Sequence, residues 1–421
     1  MSDLVSRDLE AIWHPYTQMK TAAKPIPIVK GEGVYLYTED GKKLIDAVSS
    51  WWVNIHGHSH PYIAEKVFEQ LQVLEHVIFA GFTHPQAVKL AENLLSIIPK
   101  NQAKIFYSDN GSTAVEVAIK MCLQFWSNQN QHRTKILAFK NSYHGDTFGA
   151  MAVSARSAFT AAFDSLLFDV EFLDLPNENN LEVLKSQISN LKSELACFIF
   201  EPLVQGAGGM LMYEAEDLDE LILHCKKENV LTIADEVMTG FGRTGKLFAS
   251  DHLTQKADLM CFSKGLTGGT MPLGVTSCTQ EIYDAFLSDD KLKTLFHGHS
   301  FTANPVACAA SNASFDILMQ AETHESLKRI SKKHHQFKEE IELNPKVKNV
   351  RQCGTILAME WNIEATSYFN NIRDTLYNFF LDKGIILRPL GNILYIMPPY
   401  CISNDDLDYI YNQIREALIK F

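Results

Sequence analysis

The chain is expected to fold as an α/β protein: a large, mostly parallel sheet covered by helices on both faces, followed by a smaller α/β domain. Three observations predict this. Short, nearly continuous apolar segments recur through the middle of the chain, and strands buried on both faces read that way. Amphipathic helical periodicity alternates with them. The length, 421 residues, exceeds what one ordinary core accommodates, so a large and a small domain are expected.

Residues 30–48 carry strand sequence around the turn Glu39-Asp40-Gly41. Pro61–Glu75 reads as a helix. Ala103–Ser108 reads as a strand, and Ser112–Trp126 as a helix with Ala114, Val117, Ala118 and Met121 on one face. Thr134–Phe139, Leu195–Glu201, Val230–Asp235 and Asp258–Ser263 are further short strands. After about residue 310 the texture changes. A charged amphipathic helix is expected over Ser326–Ile341, strands near Ile356–Trp361 and Ile393–Met397, and helices over Ser367–Lys383 and Asp405–Ile419. Ser403 and Asn404 are candidate N-caps of the last helix. The expected division is residues 1–50 as an N-terminal segment packing with the small domain, 51–310 as the large domain and 311–421 as the small one.

Hydrophobic residues make up 46% and charged residues 21% of the chain, as in soluble globular proteins. The net charge of −12 repels phosphate backbones and argues against nucleic acid. The eight cysteines are scattered, with no C-x-x-C pair. That argues against a zinc site or a disulfide framework and suits a reducing cytosol. The N-terminal sequence has early acids and no apolar h-region, and no apolar run reaches the length of a membrane span. A cytoplasmic protein without a membrane partner is expected.

Three segments carry candidate chemistry. Asp109-Asn-Gly-Ser-Thr113 lies between a strand and an amphipathic helix. Glycine permits close approach, and a helix start favours an anion; an ordinary N-cap explains the same residues. The strand Val230–Asp235 ends in two acids, Asp235 and Glu236, at the sheet edge where ligands bind in open α/β folds. A buried acid there needs a cation; a solvated loop acid is the alternative. Lys264 follows an apolar strand and precedes a glycine-rich loop, where an amine can lose its proton and attack a carbonyl, although most lone lysines are surface groups.

Other patterns are set aside. Gly240-Phe-Gly-Arg-Thr-Gly245 matches G-x-G-x-x-G, yet no clear helix starts there, and Leu247 stands where a P-loop needs Ser or Thr. A nucleotide-binding oxidoreductase or ATPase is therefore disfavoured. His56, His58 and His60, like His297 and His299, alternate without a matching Cys or carboxylate cluster, so no metal is expected. Of Trp51 and Trp52, one is expected to line a pocket, because neighbours on a strand face opposite sides.

The order of these segments is more specific than any one of them. A glycine turn, an aromatic loop, a strand-end Asp235 and a lysine 29 residues later resemble the class III (ω-type) aminotransferases of fold type I, over nearly the whole chain. Trp13–Met19, Ser49–Gly57, Tyr143–Thr147, Gly206–Gly209 and Gly240–Gly245 resemble its biotin-pathway members most. The resemblance implies a pyridoxal 5'-phosphate enzyme, homodimeric with shared sites, moving the amino group of S-adenosylmethionine to 8-amino-7-oxononanoate. Another ω-aminotransferase using lysine, a diamine or an ω-amino acid is the alternative.

By position, Lys264 would bind the cofactor covalently and shuttle the proton, and Asp235 would hold the pyridine nitrogen protonated. Gly111 and Ser112 would bind the phosphate, and Tyr143 would stack on the ring. Tyr16, given a catalytic role as well, would shape the substrate pocket with Trp51, Trp52, Tyr143 and Gly298. Arg388 would pair with a substrate carboxylate through its planar fork. Asp146 and Arg243 would be pocket or network residues. The chain departs from the family at His297-Gly-His-Ser-Phe301, where members often read His-Gly-Pro-Thr-Phe. Ser300 keeps the hydroxyl that reaches the partner subunit's phosphate in the family. Ala207 stands where ornithine- and γ-aminobutyrate-type relatives carry a glutamate.

Overall fold

The computed structural model describes residues 3–363 and 371–421. Its centre is a seven-stranded sheet. In spatial order the strands are Gln102–Ser108, Gly274–Thr279, Leu259–Phe262, Leu231–Asp235, Leu195–Phe200, Lys135–Phe139 and Val170–Leu173. The last five run parallel to one another. Gly274–Thr279 is antiparallel to both its neighbours. Sequence reading finds five of these strands and misses Val170–Leu173 and Gly274–Thr279. Leu195–Phe200 is buried at every position, which explains why it reads as an uninterrupted apolar run rather than an alternating one.

Two apolar clusters sandwich this sheet. One is centred on the helix Gly111–Asn128, whose Ala114, Val117, Ala118 and Met121 are all buried. The other takes in the opposite face and continues into the C-terminal part of the chain. The helix Pro305–Leu318 is buried nearly all round. It has no polar face, so it lacks the amphipathic stripe that would reveal a helix in the sequence.

A separate three-stranded sheet is built from Val347–Cys353, Ile356–Trp361 and Ile393–Ile396. The N-terminal strands Ile28–Glu32, Tyr35–Thr38 and Lys43–Asp46 form a four-stranded sheet with Ile385–Ile386, which pairs in parallel with Lys43–Asp46. The first strands of the chain are thus hydrogen-bonded to its C-terminal region. The long charged helix begins earlier than expected, at Ala321. Pro61–Leu71 ends earlier than the expected Glu75. The helix Asn371–Asp382 is present, while its expected start at Ser367 lies outside the described residues. Ser403 is the N-cap of Asn404–Lys420 and accepts the Asp406 N–H at 3.0 Å. Among the described residues, no helix is long and apolar enough to cross a membrane.

Phe198 lies fully buried in the central sheet, edge-on to Phe139 with centroids 5.0 Å apart. Phe198→Ala should destabilise the protein by about 3–5 kcal/mol, the cost of a large cavity in a packed core. Urea unfolding followed by circular dichroism measures it; a change below about 1 kcal/mol would mean that the core collapses to fill the space.

Candidate active site

A cavity of about 680 Å³ opens at the carboxyl ends of the parallel strands. Such a place is imposed by topology: strands end there, helices begin there, and the loops between them leave a crevice. Lys264, Asp235, Gly111, Ser112, Tyr143 and Trp52 all line it.

Asp235 is the last residue of its strand and is only 4% exposed. Its Oδ2 lies 2.7 Å from His144 Nδ1, and its Oδ1 accepts the Val237 N–H at 3.0 Å. These contacts fix the carboxylate's orientation. The next residue, Glu236, points away from the cavity: it accepts from Thr239 Oγ1 at 2.6 Å and from the Ala249 and Ser250 N–H groups at 3.1 and 2.6 Å. The two acids that close the strand therefore separate into one that faces the site and one that ties down the following loop.

Lys264 stands two residues after the end of Leu259–Phe262, with its ammonium 4.6 Å from the centre of the Trp52 ring. Burial pushes its pKa down to about 8, against the opposing pull of Asp235 and Glu201. At pH 7 roughly a tenth of such amines are neutral, whereas an ordinary lysine has well under a thousandth. Its φ is 47°, and Ser49, Ser50 and Trp52 also have φ between 51° and 69°. Left-handed backbone at four non-glycine positions costs energy at each and clusters where a site needs its side chains aimed.

The helix Gly111–Asn128 starts at the opposite wall. Asn110 caps it by accepting the Thr113 N–H at 3.0 Å. The Gly111 and Ser112 N–H groups precede the first intrahelical bonds and face an anion site. Two glycines shape this cradle. A Cβ on Gly111 would lie 2.8 Å from a Val237 methyl, and one on Gly145 would lie 2.1 Å from Ser112 Oγ. Gly145 also has φ of 137°, a conformation disfavoured for other residues.

Tyr143 lies beside this cradle, and burial pushes its phenol well above the usual range. Tyr16 reaches its hydroxyl to 3.4 Å from the Tyr143 hydroxyl and donates to Asp146. Its ring meets Trp51 edge-on at 5.6 Å. Trp51 and Trp52 sit on a kinked helical turn rather than a strand. Trp52 is buried against the cavity and donates its indole N–H to the Tyr395 hydroxyl at 2.9 Å, while Trp51 is exposed. The Arg388 guanidinium lies over Trp51 at 4.8 Å. Tyr16, Trp51 and Arg388 thus form a group outside the cavity lining, joined to it through Tyr143. Arg243 is fully buried and donates to the Pro398 and Trp52 carbonyls at 2.8 and 3.3 Å. It acts as a network residue that holds the Trp52 backbone. The Gly240–Gly245 segment around it forms turns, with no helix start.

Gly298 and Ser300 do not reach this cavity; both are exposed on a loop that packs against Asp109 through His299. His56 and His58, in contrast, have structural partners: Ser314 at 3.0 Å and Asp46 at 2.9 Å.

Two site residues escape the sequence reading. Glu201 immediately follows the strand beside that of Asp235 and accepts the Tyr143 and Gly206 N–H groups at 3.1 and 2.9 Å. Burial raises its carboxyl to about 7. The rule that finds Asp235, an acid closing an apolar strand, applies equally to Glu201. His144, the partner of Asp235, has no such mark beyond following Tyr143.

A family model described as aminotransferase class-III matches residues 16–418. The adenosylmethionine-8-amino-7-oxononanoate aminotransferase of Synechococcus elongatus is 45% identical over 417 residues, covering 97% of this chain and 98% of that protein. Its counterpart in Helicobacter pylori is 36% identical, covering 96% and 95%. Among solved structures, the adenosylmethionine-8-amino-7-oxononanoate aminotransferase of Methanocaldococcus jannaschii superimposes with a TM-score of 0.95 at 36% identity, covering 99% of this chain and 98% of that one.

The lowered Lys264 pKa has a direct consequence. In protein freed of small molecules, labelling by an aldehyde and borohydride should concentrate on Lys264, rise as pH increases, and be half-maximal near pH 8. Peptide mapping reads the position. Label spread over surface lysines, or half-maximal labelling of Lys264 near the ordinary value of about 10.4, would contradict the assignment.

Proposed function

Because the chain belongs to the class-III aminotransferases, we propose that it uses pyridoxal 5'-phosphate to move the amino group of S-adenosylmethionine onto 8-amino-7-oxononanoate, giving 7,8-diaminononanoate in biotin biosynthesis. The observation that carries this reading is the convergence of a buried amine, a strand-end carboxylate and a helix N-terminus on one cavity. Full-length relatives of that activity, in distant organisms, support the choice of substrates.

The residues fit the cofactor. Gly111 and Ser112 offer N–H donors to a phosphate, in a cradle that a Cβ on Gly145 would fill. Asp235 offers a fixed anion to a protonated ring nitrogen. Tyr143 offers a face to the ring, and Lys264 offers a nucleophile to an aldehyde. When bound, pyridoxal 5'-phosphate supplies a carbonyl that takes up an amino group and a ring that accepts the electrons released at the donor carbon.

The chain's own groups do the rest. Lys264 Nζ, partly neutral at physiological pH, removes a proton from the donor carbon and returns it at the neighbouring position. Asp235 would stand opposite the ring nitrogen in a fixed orientation, because His144 and the Val237 N–H hold both its oxygens. Glu201 fixes the Tyr143 backbone, and Arg243 fixes that of Trp52, so two walls of the cavity keep their shape. Tyr16, Trp51, Trp52 and Tyr143 present aromatic faces to the adenine and the sulfonium. Arg388, stacked on Trp51, takes the carboxylate of a substrate. Ser300 and Gly298 serve the site of a second subunit, in a cytoplasmic homodimer.

Single-turnover spectra test the donor. S-adenosylmethionine should convert the cofactor from its aldehyde to its amine form, and lysine at equal concentration should not. Conversion by lysine with S-adenosylmethionine inert would overturn the donor and favour another ω-aminotransferase. Tyr16→Ala should slow the donor half-reaction more than the half-reaction with the oxononanoate. Asp235→Asn should lower turnover at least about a hundredfold, the scale for loss of one key electrostatic group; near-normal turnover would remove Asp235 from its role.

A further inference from the structure

The loop that carries Gly298 and Ser300 is joined to the rest of the chain by four side chains in a row. Lys120 Nζ lies 3.0 Å from His297 Nδ1. His297 Nε2 lies 3.0 Å from His299 Nε2. His299 Nδ1 lies 3.7 Å from Asp109 Oδ2. Lys120 is on the helix Gly111–Asn128, and Asp109 is in the turn that leads into it. Asp109 is itself held, because its N–H donates to Thr113 Oγ1 at 3.1 Å, while its Oδ1 is buried without a partner.

Donor chemistry allows one proton arrangement along this row. An ammonium only donates, so His297 Nδ1 accepts. Neutral His297 then carries its proton on Nε2 and donates to His299 Nε2. His299 in turn carries its proton on Nδ1, facing the Asp109 carboxylate. An added proton has no place. On His297 Nδ1 it meets the Lys120 ammonium, and on His299 Nε2 it meets the His297 Nε2–H. Either way one contact of the row must open.

We propose that His297 and His299 are positioning residues that form a proton-sensitive latch, holding the loop 297–301 against the Asp109 turn when both imidazoles are neutral and releasing it when either is protonated. The charged groups facing the pair are Lys120 and Glu116 from the helix and Asp109 from its leading turn; His76 meets the loop through Phe301, with ring centroids 5.3 Å apart. Burial first, and then Lys120, push the His297 pKa below its usual value. The sign follows. The closed loop binds fewer protons than the open one, so closure is complete above the ordinary histidine pKa of about 6.5 and is lost as pH falls through it. The latch stands on this chain's geometry alone. Its consequence, that acid withdraws Ser300 from a second subunit's phosphate site, rests on the function proposed above.

Hydrogen exchange on the holoenzyme separates the two. The amides of His297, His299, Thr302 and Asn304 are hydrogen-bonded in the closed loop, to Leu295 O, Thr302 Oγ1, His299 O and Phe301 O. After correction for intrinsic exchange, protection of the peptide spanning 297–304 should fall about a hundredfold between pH 8 and pH 5.5. That is about tenfold for each imidazole one pH unit below a pKa of about 6.5. In His299→Gln, whose amide oxygen still accepts from His297 but does not titrate, the fall should shrink to about tenfold, because His297 still meets Lys120 when protonated. His297→Gln should shrink it likewise, and the double variant should abolish it. Equal protection of the wild-type loop at both pH values, or a wild-type fall in both variants, would overturn the latch. Cofactor release, followed by fluorescence in the same samples, reads the consequence. Loop opening without faster release would support the latch and count against the placement of Ser300.

Discussion

The structure depends on holding a carboxyl group buried at the end of the central sheet. Asp235 sits where five parallel strands point their carboxyl ends into one crevice, shielded from solvent. A buried carboxylate is costly unless its oxygens are occupied, and here each has a partner within 3.0 Å. His144 can fill that role only because the loop after Lys135–Phe139 folds back across the strand ends. That loop is tied by the His144 N–H to Ser154 Oγ at 2.8 Å and by the Tyr143 N–H to Glu201. The aromatic wall and the buried acid are therefore held by the same few bonds.

The same low-dielectric setting explains Lys264. Burial disfavours the ammonium more than two nearby carboxyls restore it, so the balance falls at about 8 rather than in the ordinary lysine range. Were Asp235 and Glu201 absent, the amine would be depressed further; were the site wet, it would stay charged. Glu201, itself raised to about 7 by burial, titrates in the range where the amine is becoming available.

Aromatic residues mark a second layer. Trp52 touches Lys264 on one side and Tyr395 on the other, linking the cavity to the three-stranded sheet. Trp51, one residue earlier, faces the opposite way and supports Arg388 and Tyr16 at the entrance. The kinked turn with positive φ at Ser49, Ser50 and Trp52 makes this divergence. A regular strand would also send neighbours to opposite sides, but it could not place one tryptophan beside the Lys264 amine and the other over Arg388.

The sequence by itself determined the fold class, five of the seven central strands, and the placement of Asp235, Lys264 and the Gly111–Ser112 turn at strand ends. Those features are local: burial on both faces makes a strand uniformly apolar, and a polar residue closing such a run stands out against it. Gly274–Thr279 and the helix Pro305–Leu318 were not legible. The first ends in Thr276, Ser277, Cys278 and Thr279, whose polar groups are satisfied only by contacts such as Ser277 with Gln102 and Thr276 with Ala114. The second has no polar stripe to give its period away. Tertiary structure alone decided that Glu236 turns from the site while Asp235 enters it, that His144 completes the acid, and that Tyr16 crosses to Asp146. The last two are contacts between residues far apart in the chain, and the first is made by the loop that follows the strand; all are set by how the loops pack over the sheet, and no local periodicity encodes such an angle.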